Sequence, residues 1–235
     1  MRSLCADWEL SAGAGKSLGD PVPAHVPLLV LVQPLPSLTD LALGLGTLLL
    51  LRRLPRGAAA SKYWRATFAA SAVSALAGAV HHGFFVGTGL DGVSWAVTSS
   101  LVVVVVSFML AATVVEVLGR SRAAVFWPLR LAGLLAYAVL AVTGHAGITA
   151  ILACESLTML SVLVLWTLAW RRGLPMGRPM MTAIGTNIAA ALLRLLPAGL
   201  AVDPVSAYHL GQIVAMVVLF RAVGGTERQL VAGTA

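Results

Sequence analysis

Seven apolar stretches, at residues 28–51, 63–87, 93–117, 124–144, 148–170, 180–200 and 205–223, leave this chain few ways to fold. Each is near the ~20 residues an α-helix needs to cross bilayer hydrocarbon, and the tracts 101–112 and 159–169 are nearly unbroken. Only 11% of the residues are charged, where a water-soluble domain keeps about a quarter. A transmembrane barrel would show short alternating strands instead. The pattern predicts an all-α polytopic membrane protein, a seven-transmembrane-helix bundle. Residues 1–26 are expected to form a flexible tail, 27–225 the helical domain, and 226–235 a short cytoplasmic tail.

The loops predict orientation. Arg52, Arg53, Arg56, Lys62 and Arg65 separate the first two stretches. Arg120 and Arg122 follow the third, Arg171, Arg172 and Arg178 the fifth, and Arg221 and Arg228 close the seventh. The intervening loops carry Asp91, His145 and Asp203 and no Lys or Arg. Basic residues favour the cytoplasmic side, so the expected topology is N-terminus out and C-terminus in. The same distribution explains the net charge of +7 without nucleic acid. Arg greatly outnumbers Lys and Ala, Gly and Val abound, a bias that suggests a bacterial plasma membrane. Cys5 and Cys154 are too distant in sequence and setting to suggest a disulfide or metal knuckle. The tract 12–19, AGAGKSLG, lacks phosphate-loop spacing. Trp64, Trp95, Trp127, Trp166 and Trp170 fall where an interfacial aromatic belt is expected.

Threaded alternately through a bilayer, the ionisable residues within the apolar stretches converge. Asp40, with Ser37 as expected N-cap, starts helix one. His81 and His82 end helix two, and Asp91 precedes helix three. His145 ends helix four, Glu155 lies two turns into helix five, Arg194 is near the end of six, and His209 is one turn into seven. At about 1.5 Å per residue they share a slab on the order of 10–15 Å deep, with Glu116 the exception. Buried ionisable groups in a membrane mark functional sites. His81, His82 and His209 are the candidate metal ligands, and adjacent histidines point about 100° apart, so one of the pair faces elsewhere. Asp40 is a ligand, a general base or a partner of Arg194. Asp91 is either a site residue or a solvated turn residue. Glu155 and Arg194 are expected to pair, or to grip a substrate headgroup. Ser71, Ser74 and Gly78 extend the His81/His82 face down helix two and suit close helix packing.

This pattern resembles the CREST superfamily, seven-helix membrane proteins that include alkaline ceramidases and progestin/adipoQ receptors. Its hallmark is a zinc site made by a His late in helix two and an HxxxH pair in helix seven, with a nearby Ser and Asp. His81 or His82, Asp91 and His209 match those positions. Ile213 stands where the second helix-seven His would be, Ala77 or Gly78 stands one turn before the histidines, and the nearest serine is Ser74. Thr39-Asp40 and Tyr208-His209-Leu210 are also similar to an uncharacterised seven-helix group near that superfamily. The resemblance implies a zinc-dependent lipid amide hydrolase, with Asp40, Asp91 and Ser74 in catalytic roles and Arg194, Glu155 and Tyr208 around a membrane lipid. The alternatives are a non-catalytic lipid or small-ligand binder and, last, a transporter. Oligomeric state is not legible.

Overall fold

The computed structural model describes residues 31–54, 56, 60–143, 148–197 and 201–232. The tail expected at 1–26 and His145 lie outside them. Among the described residues there are seven α-helices and no strand. They are α1 (Pro34–Arg53), α2 (Ser61–Val80), α3 (Asp91–Leu118), α4 (Phe126–Val142), α5 (Ile148–Arg171), α6 (Gly177–Leu192) and α7 (Pro204–Ala232). Six segments are long and apolar enough to cross a membrane; α6, at 16 residues, is not among them.

Local chemistry explains several boundaries. Pro34 sits at the start of α1, where a missing N–H costs nothing, so the helix begins earlier than the expected Ser37 cap. Ser37 is inside the helix, and its hydroxyl donates instead to the Ala79 carbonyl of α2 at 2.8 Å. Asp40 is therefore two turns into α1 and not in its first turn. Asp91, expected in a loop, is the first residue of α3 and accepts from the Gly87 N–H at 3.0 Å. The end of α5 is locked by Gly173, whose φ of 74° lets its N–H reach Trp170 and the Leu174 N–H reach Ala169, a Schellman closure. At the other end of α7 the helix continues to Ala232, through most of the expected tail.

Packing neighbours form a ring, α1–α2–α3–α5–α6–α7 and back to α1. Helix α4 lies outside it, chiefly against α5, with most of its side chains facing outward. The apolar core fills one half of the ring: Phe68, Leu110, Val114, Trp166, Met180 and Leu219 are almost wholly enclosed. Trp64 and Trp166 belong to this core, each 1% exposed, and are not part of an aromatic belt. Trp166 satisfies its indole N–H on Thr113 at 3.0 Å, which makes its burial tolerable. The other half of the ring holds the polar cluster.

Candidate metal centre

Helix α2 does not end cleanly. It passes into a π turn, His81–Phe85, closed by the Val86 N–H on the His81 carbonyl. Such turns widen the helix and re-aim side chains, and they concentrate at functional sites. The freed carbonyls of His82 and Gly83 accept the N–H groups of Gln33 and Val32, just before α1. That bond pair brings the start of α1 against the end of α2. Gly78 allows the close approach: a Cβ there would run into the Asp40 carboxylate. Helix α1 also packs on α7, so it sits between the two elements that carry His82 and His209.

Asp40, His82 and His209 consequently converge, each offering one ligand atom within 4.8 Å of the other two. His209 Nε2 is 3.4 Å from Asp40 Oδ1, and His82 Nε2 is 3.9 Å from Asp40 Oδ2. Asp40 and His209 are buried and His82 is half-buried.

The far nitrogens decide what this trio presents. His82 Nδ1 lies 2.8 Å from Gln33 Oε1, which only accepts, so Nδ1 carries the proton. Thr39 Oγ1 lies 3.0 Å from both the Leu35 and Pro36 carbonyls and has one proton to give them. Toward His209 Nδ1, 3.2 Å away, it therefore accepts. Both neutral rings then turn an Nε2 lone pair toward the carboxylate. A shared proton or a bound cation satisfies three acceptors that meet in a buried space, and an acceptor on the opposite nitrogen is the usual arrangement of a metal-ligating histidine. Zinc–ligand bonds of about 2.0–2.1 Å imply tetrahedral edges of about 3.3 Å. The His209–Asp40 separation of 3.4 Å is near that value and the His82–Asp40 separation of 3.9 Å is longer, so the residues fit a small divalent metal once His82 closes in by a few tenths of an ångström, with a fourth position open. The same two-His, one-carboxylate set also suits ferrous iron.

The remaining expected site residues fall around the trio or away from it. His81 diverges from its neighbour: Nδ1 bonds Ser94 Oγ at 2.8 Å and Nε2 stands 3.9 Å from Asp91 Oδ1, beside Trp95. His81 and Asp91 are thus a separate pair and not part of the trio, because one residue of helical rotation swings His81 toward α3. Ser74 is buried in α2, two turns below. Tyr208 packs its ring 5.4 Å from that of His209, and the Arg194 guanidinium stands over it at 5.5 Å. Asp203 caps α7, accepting from Val205 N, Ser206 N and Ser206 Oγ. Partial burial pushes its carboxyl up, but these bonds outweigh burial and hold it below the usual carboxylate range.

Glu155 does not pair with Arg194. Its partner is Arg130 of α4, with Nη2 to Oε1 at 3.2 Å. Arg130 is 3% exposed, and its guanidinium also reaches Thr158 Oγ1 and the Val103 carbonyl, joining α4 to α5 and α3. Removing one member of such a pair leaves a buried charge, at about 3–5 kcal/mol. Sequence reasoning overlooked Arg130, although an arginine inside the apolar stretch 124–144 was a visible signal. It also passed over Gln33 and the hydroxyl of Thr39 as ring-orienting groups, since neither is ionisable.

The chain belongs to DUF6962, a family of unknown function, which it matches over residues 35–228. The match takes in Asp40, His82 and His209. No curated protein and no solved structure is significantly similar to it.

Proposed function

We propose that this is an integral membrane protein with seven spans, N-terminus out and C-terminus in, whose non-cytoplasmic end carries a metal-dependent hydrolytic site for a lipid. The observation that carries the reading is the trio Asp40–His82–His209 with both Nδ1 atoms tied back by Gln33 and Thr39. Zinc is the metal of choice for two imidazoles, one carboxylate and an open position, and when bound it supplies an acidified water with a pKa near 7. Asp40 compensates charge at the site, the two imidazoles orient the centre, and Tyr208 lies beside it to hold a substrate oxygen. The resemblance to the CREST superfamily supplies the reaction class, cleavage of a lipid amide or ester. A second reading, a lipid binder without turnover, is favoured by Ile213, which leaves α7 with one ligand where that superfamily has two.

Elemental analysis of the detergent-purified full chain tests the proposal. Roughly one zinc per chain is expected, reduced several-fold by His82→Ala, His209→Ala or Asp40→Asn and unchanged by His81→Ala. Chelator-sensitive release of fatty acid from N-acyl or ester lipids by the loaded protein separates the hydrolase from the binder. Wild-type protein without stoichiometric metal sinks both the centre and the chemistry.

A further inference from the structure

Arg194 stands apart from the other cations whose side chains the structure describes. Among the described residues Arg52, Arg53, Arg56, Lys62, Arg65, Arg120, Arg122, Arg171, Arg172, Arg178 and Arg221 lie at or beyond the core end of the ring, and Arg130 is consumed by Glu155. Arg194 lies instead at the end of α6 and on the side of the trio. Charge placement favours arginine on the opposite side, so this residue works against the orientation signal. It also forms no ion pair with an acid among the described residues, Asp203 being engaged by Ser206 and Val205.

Its side chain is nonetheless held. The guanidinium lies 5.5 Å over the Tyr208 ring, a cation–π arrangement, and the residue is exposed. Gln212 Nε2 donates to the Tyr208 phenol oxygen at 2.6 Å, so the phenol proton is free to donate onward. Tyr208 in turn packs on His209, with ring centroids 5.4 Å apart. A five-donor planar fork and a phenol O–H beside one another match a phosphate or carboxylate.

We propose that Arg194 and Tyr208 form an anion subsite at the mouth of the metal centre, which takes the phosphate or carboxylate of the ligand. The inference rests on the reading of the trio as the reacting centre, and it names the ligand class: an anionic amphiphile presented from the leaflet, or the same anion free in water.

Calorimetric titration of the full chain in neutral maltoside micelles tests it, with dodecyl phosphate, dodecanol and inorganic phosphate as probes and with protein both zinc-loaded and chelator-stripped. Dodecyl phosphate is expected to bind the stripped wild type and to bind Arg194→Gln at least tenfold more weakly. Arg194→Lys should retain part of the affinity, Tyr208→Phe should lose a few-fold, and Arg171→Gln should change nothing. Inorganic phosphate binding as tightly as dodecyl phosphate supports the subsite and assigns a soluble anion, while much weaker binding supports it and assigns a lipid headgroup. Dodecanol binding as tightly as dodecyl phosphate, or an unchanged dissociation constant in Arg194→Gln, overturns the proposal. Because the stripped protein is measured, absence of a metal centre leaves this result readable on its own.

Discussion

A metal-ligating histidine almost always has its second nitrogen hydrogen-bonded, a condition His81, His82 and His209 all meet; the direction of Nε2 is what separates His82 and His209 from His81. All three are near the same end of the bundle, but only two turn Nε2 toward Asp40. The groups that set their tautomers are therefore as consequential as the rings. Thr39→Val removes the side-chain partner of His209 Nδ1, and Gln33→Leu that of His82 Nδ1. Each should weaken zinc affinity about 10–100-fold, read by competition with a chromophoric chelator, while helicity by circular dichroism stays unchanged. Unaltered affinity in both variants would show that the rings are oriented by other means. Sequence reasoning could say that adjacent histidines diverge; it had no means to say which one met Asp40, because that depends on the rotation of α2 against α1.

At the level of elements, the site exists because α1 and α2 approach within reach of one missing side chain. Gly78→Ala should push Asp40 aside and lower metal content several-fold with the fold retained. Gly46→Ala is the matched control: a Cβ there meets open space, and a helix-interior alanine should be neutral or stabilising by up to about 1 kcal/mol. Equal metal content in the two variants would mean that the close contact does not position Asp40. The helix-two face of Ser74 and Gly78 was legible as a packing face from its three- and four-residue spacing. The π turn at His81–Phe85 was not, since it depends on Gln33 and Val32 taking the released carbonyls.

For the whole molecule, the polar half and the apolar half of the ring give a direction to the bundle. If the proposed orientation holds, then in a Cys5→Ser background an impermeant maleimide should label Leu90→Cys from outside intact cells and should label Arg120→Cys only after permeabilisation. The reverse pattern would invert the topology and place the trio at the cytoplasmic face. Leu90 and Arg120 flank the two ends of α3, and Leu90 is exposed, so labelling reports side and not burial. Glu155 shows how far whole-molecule packing departs from sequence-level matching. Depth alone paired it with Arg194, yet α4 lies against α5 and delivers Arg130.

The sequence by itself determined that the chain is a set of long apolar helices and that Asp40, His81, His82, Asp91 and His209 gather toward one end while the loop arginines gather at the other. Both follow from composition and length, because apolar stretches of this size satisfy their backbone internally as helices and alternate in direction through short loops. The tertiary structure alone decided which of those groups meet. Neighbour order around the ring, the rotation of each helix and the widened turn after α2 chose His82 over His81 and Arg130 over Arg194. About 100° of rotation per residue separates a ligand from a bystander, and that angle is fixed by packing partners far away in the chain.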